Sequence, residues 1–126
     1  MNQRNTLLWG VLFGGLGVAL GAFGAHAWKP MLLANNKLEA YEIAVRYQVY
    51  HAFALILAGM LMKTIQNQKP LRLAAFCWVI GIFLFSGSLY TLSFSSIRTV
   101  AFFTPVGGVF FLSGWALLLW SVFKNK

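Results

Sequence analysis

The chain has 126 residues, 60% of them hydrophobic and only 10% charged, against about half and about a quarter in a typical soluble domain. So few charges cannot cover a water-facing surface, and a mean hydropathy of +0.73 excludes an ordinary soluble enzyme or binding module. Ten Lys and Arg against two acids give a formal charge of +8. These bases sit between apolar runs rather than in one patch, which points to lipid headgroups and not to nucleic acid.

A spanning helix takes about 20 mostly apolar residues to cross roughly 30 Å of hydrocarbon. The first such run covers residues 7–26 and contains no charge. Arg4, this run and the Ala25-His26-Ala27 triplet also resemble a signal peptide with its cleavage site. The run of about 19 residues exceeds the roughly 7–15 of a signal's apolar region, so it reads as a span. Glycines 10, 14, 17, 21 and 24 recur in steps of four and three and share one stripe of this helix. In lipid such small residues let backbones approach until van der Waals contacts accumulate, and their 3.5-residue period suits a left-handed crossing. The stripe formed by Gly10, Gly14, Gly17, Gly21 and Gly24 is therefore read as a helix-packing face.

The first connection, residues 29–46, is the long one. Pro30 bars easy continuation of the first helix, and KLEAYEIAVR from Lys37 onward has helical character, with Leu38, Tyr41 and Val45 on one face. Glu42 and Arg46 stand at i, i+4 in the favourable order. This segment predicts a short interfacial helix between spans one and two; the alternative is that the second span simply starts early. The second apolar run covers 47–62, extendable back through 44 and 45. A polar connection follows, with Lys63, Gln66, Asn67, Gln68, Lys69, Pro70 and Arg72. The third run covers 73–92, with the single Cys77 inside it, so the chain has no intrachain disulfide. A tight polar hairpin at 93–99 carries Arg98, and the fourth run covers 100–123. There Pro105 frees the carbonyl of Ala101, which Thr104 or Arg98 is placed to satisfy. Continuous apolar runs without strict alternation are helices, so the fold class is an all-α membrane protein. The expected architecture is an up-down-up-down bundle of four transmembrane helices in one domain, residues 1–126.

Orientation follows from the bases. The N-terminus, second connection and C-terminus share one side and hold Arg4, Lys63, Lys69, Arg72, Lys124 and Lys126. The other side holds Lys29, Lys37, Arg46 and Arg98, together with both acids, Glu39 and Glu42. The positive-inside rule counts Lys and Arg only and favours both termini in the cytoplasm.

With that topology the unusual polar residues collect in one leaflet, towards the outer side. His26 ends the first span, while Tyr47, Gln48, Tyr50 and His51 begin the second. Ser86, Ser88, Tyr90 and Thr91 close the third, and Arg98 and Thr104 open the fourth. Polar groups at membrane depth are costly, so this cluster is a candidate binding site. The competing reading is hydrogen-bonding glue between helices, with Tyr and Trp drawn to the interface. The candidate cluster is His26, Tyr47, Gln48, His51, Ser86, Ser88, Tyr90, Arg98 and Thr104.

Several strings then read as familiar together: GAFGAHA at 21–27, YQVYHA at 47–52, FSGSLY at 85–90 and AFFTPVGGVFFLSGWAL at 101–117. In this combination the chain resembles the bacterial inner-membrane family catalogued as domain of unknown function four-two-three. The resemblance covers nearly the whole chain, in order. It implies a small four-span protein of the cytoplasmic membrane, and it transfers no catalytic residue.

Three function classes follow. The first is a non-enzymatic accessory or scaffold protein, embedded in the lipid bilayer and packed against a membrane-protein partner or a second copy. The second is a small oligomeric transporter or channel whose mouth is the outer polar cluster; no span contains a carboxylate for a proton relay. The third is a haem-binding redox subunit with His26 and His51 as axial ligands. Neither a nucleophile–base–acid set nor metal-ligand spacing is visible, so no catalytic residue, metal or cofactor is expected.

Overall fold

The computed structural model describes residues 1–125; Lys126, one of the six bases counted on the terminal side, lies outside the described residues. The elements in chain order are α1 (Gln3–Ala25), α2 (Lys29–Ala34), α3 (Leu38–Leu61) and α4 (Lys69–Gly81). After a π turn (Ile82–Ser86) come α5 (Gly87–Phe94), a 3-10 turn (Arg98–Phe102) and α6 (Phe103–Lys124). Four helical stretches are long and apolar enough to cross a membrane: Gln3–Ala25, Leu38–Leu61, Lys69–Phe94 and Arg98–Lys124. The protein is an all-helical membrane protein of four spans.

Local chemistry sets the ends of these helices. Asn2 is extended, and its side chain accepts the Asn5 amide at 2.8 Å, satisfying one orphan donor of α1. A short helix does stand between the first two spans, but it is α2, at the beginning of the first connection. Residues 38–46 instead form the opening turns of the second span, the other alternative left open by the sequence. The two helices are separate because α2 closes in a Schellman turn. Asn36 adopts a left-handed φ of 54°, its amide reaches the Leu33 carbonyl, and the Lys37 amide reaches the Leu32 carbonyl at 2.8 Å. Fully buried Leu32 anchors this turn. In the second connection, Gln68 donates to the Met62 carbonyl at 2.7 Å, and Pro70 occupies the first turn of α4, where a missing amide is harmless.

The fourth span departs from the sequence expectation at its start. The chain winds as a 3-10 turn over Arg98–Phe102 before α6 begins, so Pro105 also falls in a first turn, whose amides have no intrahelical partner. Thr104 does not serve the Ala101 carbonyl; its hydroxyl meets Ser88 Oγ at 2.5 Å. The π turn in the middle of the third span was not anticipated.

The spans pack in antiparallel pairs, consistent with an up-down-up-down course. α1 lies along α3, α6 lies along the third span, and the second and third spans pack against each other. Hydrogen bonds give the register of the first pair: Gln3 to the Gly59 carbonyl at one end, Gln48 to the Phe13 carbonyl in the middle, and Tyr41 to the Leu20 carbonyl at the other. Along this pair the glycine stripe of α1 faces α3. A Cβ added at Gly10 would meet Ile56 at 2.7 Å and one at Gly17 would meet Val49 at 2.6 Å. Gly14, Gly21 and Gly24 face Ala52, Val45 and Tyr41, while Gly15, off the stripe, has nothing within 4 Å.

The third and fourth spans interlock differently, by rings seated on glycines. Trp78 lies on Gly114, Phe111 on Gly81, and the Phe85 main chain, within the π turn, on Gly107. The rings come from both helices, and the steps of three and four run in opposite directions along them. The buried core, with Leu55, Ala58, Leu71, Ala74, Ala75, Trp78 and Ile82, is supplied mostly by the second and third spans, joined by Phe13 of the first and Phe111 and Leu118 of the fourth.

Candidate functional site

The structure divides the candidate polar residues into three bonded groups and leaves two outside them. In the first group, buried Gln48 donates to the Phe13 carbonyl at 2.9 Å and accepts from Tyr90 at 2.8 Å. Beside it Ser86, fully buried in the π turn, donates to the Ala44 carbonyl at 2.7 Å. One amide side chain thus ties the first, second and third spans. In the second group, Ser88 donates to the Phe85 carbonyl at 2.8 Å and meets Thr104, joining the third span to the fourth.

The third group centres on His51. Its Nδ1 lies 2.7 Å from the Tyr47 carbonyl, and its Nε2 lies 3.1 Å from the indole nitrogen of Trp115. An indole N–H only donates, so Nε2 is the acceptor and Nδ1 carries the proton that goes to Tyr47. This assigns a neutral imidazole with both nitrogens committed. Its ring lies flat on Phe111, centroids 3.6 Å apart and planes 5° from parallel. Tyr47 and Trp115 flank the pair.

His26 caps the C-terminus of α1 and is exposed. Arg98 is exposed and lines a different cleft. Axial ligation by His26 and His51 therefore has no support in the geometry: one imidazole is exposed at a helix end, and the only lone-pair nitrogen of the other already accepts from Trp115. Among the described residues, no cluster of three or more His, Cys, Asp or Glu stands ready for a metal. One buried side-chain oxygen there lacks a partner, Ser121 Oγ near the end of α6.

His51 and its rings floor a cleft of about 400 Å³ between the second and fourth spans, a volume within the usual range for ligand sites. The lining is Tyr47, His51, Phe85 and Phe111 with Pro105, Gly108, Val109, Leu112 and Trp115. Most of these are apolar, and the one ionisable base among them has no free nitrogen. Such a surface suits a largely apolar occupant, with the Tyr47 phenol as its one polar side chain besides the committed imidazole. Phe111 and Trp115 were not singled out by sequence reasoning. The available signal was the donor-only Trp115 inside a span, which requires an acceptor from a neighbouring helix.

The family model described as "Protein of unknown function (DUF423)" matches residues 20–108. The chain belongs to this family. Among its relatives, the "UPF0382 membrane protein" of Haemophilus influenzae is 39% identical over 125 residues, covering 99% of this chain and 97% of that protein. The "UPF0382 inner membrane protein YgdD" of Escherichia coli is 37% identical over 131 residues, covering 100% of this chain and 95% of that one. The "UPF0382 membrane protein SH2409" of Staphylococcus haemolyticus is 36% identical, with 94% of each chain covered. No solved structure matches the chain. The stretch matched by the family model holds all nine candidate polar residues and His51's floor as far as Gly108, while Phe111 and Trp115 lie beyond it.

Proposed function

We propose that the protein is a non-enzymatic accessory or scaffold protein of the cytoplasmic membrane, with both termini in the cytoplasm. In this reading the cleft between the second and fourth spans receives a span of a membrane-protein partner. The supporting observation is the contrast at His51: its ring nitrogens and the neighbouring Gln48, Ser86 and Tyr90 are engaged within the chain, while the cleft above them is largely apolar. Lipid drives no hydrophobic association, so helices associate through shape and close packing, and a cleft walled by rings and Gly108 offers both. The transporter reading needs an open polar lining, and of the residues assigned to its mouth Gln48, His51, Ser86, Ser88, Tyr90 and Thr104 are instead bonded to neighbouring helices, while His26 and Arg98 lie at exposed ends. The inner-membrane assignment draws on the name of the Escherichia coli relative, and the orientation draws on the base count.

The test is a photo-reactive residue at Leu112, on the cleft wall, compared with one at Leu73, an exposed third-span residue that does not line the cleft. Irradiation in intact cells is expected to give a discrete protein adduct from Leu112 and none from Leu73. Lipid adducts alone at both positions would overturn the proposal.

A further inference from the structure

The first and third connections meet at the end of the bundle opposite the termini. They enclose a second cleft of about 390 Å³, unrelated to the one around His51. Its polar lining is Asn35, Lys37, Ser93, Ser95, Ser96 and Arg98, and Met31, Leu92 and Phe94 supply apolar surface. Neither of the chain's two carboxylates is among these residues; Glu39 and Glu42 line a separate depression with Leu33 and Asn36. Two cations thus face one cavity with no acid in its wall. In sequence they are far apart, and two unrelated devices bring them together.

The Schellman turn at Asn35–Asn36 holds the backbone of Lys37 through its amide bond to Leu32. Arg98 opens the 3-10 turn, after the extended residues Ser95 and Ile97 have reversed the chain. Ser93 and Ser95 bond back to the carbonyls of Leu89 and Thr91 at 2.7 and 2.6 Å, closing the last turn of the third span beneath the cavity. Phe94 of the lining packs edge to face on Trp28 and Tyr41, and Tyr41 in turn on Tyr90. The cleft is built from span ends and the connections that join them, which stand in the headgroup region when the apolar runs fill the hydrocarbon; cationic and apolar side chains share its wall.

We infer that the Lys37–Arg98 cleft binds a phosphate group of net negative charge, as an anionic glycerophospholipid headgroup presents it. A guanidinium and an ammonium both suit phosphate oxygens, the first as a planar fork and the second as a point charge. Met31, Leu92 and Phe94 would meet the glycerol and the first methylenes. A zwitterionic headgroup carries its own cation and would be a poorer match for two positive side chains.

The experiment uses the full chain in a neutral maltoside detergent, followed by native mass spectrometry as phosphatidylglycerol or phosphatidylcholine is added. The expected result is preferential retention of one phosphatidylglycerol, weakened about fivefold by Lys37→Gln and again by Arg98→Gln, the effect of removing one cation near an anionic headgroup. Lys29→Gln is the control: it is exposed, lies in the same connection and does not line the cleft, so retention should be unchanged. Melting temperatures of all three variants should equal that of the parent, since both cleft cations sit on surface turns. Inorganic phosphate and glycerol 3-phosphate are then added as competitors. Displacement of the lipid would assign a free phosphate as the source, and its persistence would assign the headgroup; either keeps the phosphate chemistry. Equal retention of the two lipids, or an equal loss in Lys29→Gln, would overturn the inference.

Discussion

Trp115 on the fourth span donates its indole N–H to Nε2 of His51 on the second, at 3.1 Å, and thereby fixes the tautomer of the imidazole beneath it. The bond crosses the aromatic cleft, holding its two walls together below the opening. Interhelical bonds of this kind contribute about 0.6 kcal/mol on average and up to about 1.7 in membrane bundles. Trp115→Phe should lower stability by that order in detergent melts. His51→Ala should cost about 1–3 kcal/mol, because it strands the indole and removes the face that stacks on Phe111. The double variant should lose less than the sum of the two; strict additivity would mean the bond contributes nothing.

Arg98 and His51 behave otherwise. They line different clefts and share no lining residue. The loss from His51→Ala should therefore be the same, within about 0.3–0.5 kcal/mol, in the parent and in an Arg98→Ala background, as for independent sites. A larger deviation in chemical or thermal unfolding would show that the two ends of the polar cluster communicate.

The glycine stripe of α1 makes a comparison within one helix. Gly17→Leu drives a side chain into Val49, whereas Gly15→Leu enters open space. Overpacking of this kind typically costs about 1–3 kcal/mol. The melting temperature should drop for the first variant and hold for the second, and equal values would remove the stripe as the seam between the first two spans.

Gly107 and Gly108 are neighbours with different constraints. An added methyl at Gly107 would collide with the main-chain nitrogen of Phe85, which has no rotamer to change, while at Gly108 the nearest atom is a Phe85 ring carbon at 4.0 Å. Gly107→Ala should therefore be damaging, at the upper end of about 1–3 kcal/mol, and Gly108→Ala close to neutral. Equal unfolding midpoints for these two variants would show that the close approach over the π turn is not required.

Orientation has its own check. A reporter active only in the cytoplasm should work when fused at Asn67 in the second connection and stay silent at Asn36 in the first. The opposite pattern would place the Lys37–Arg98 cleft on the cytoplasmic side.

The four spans were legible in the sequence because crossing hydrocarbon demands an unbroken apolar run, a requirement each stretch meets without help from its neighbours. The stripe of small residues on α1 was legible for the same reason, as a periodicity internal to one helix. What faces it was not: only packing decides that Val49 and Tyr41, rather than residues of the third or fourth span, meet Gly17 and Gly24. The early start of the second span was one of two readings, and the Schellman turn at Asn36 settles it by closing α2 first. The polar residues were visible as one band at one depth, since hydropathy and topology report height along the membrane normal and not direction around it. Rotation of each helix about its own axis, fixed by ring-on-glycine contacts such as Phe111 on Gly81, divides that band into three groups. The same rotation turns Trp115 towards His51, while the two short turns at the bundle's end bring Lys37 and Arg98 to one cavity. These placements depend on contacts between residues far apart in the chain, which no local pattern encodes.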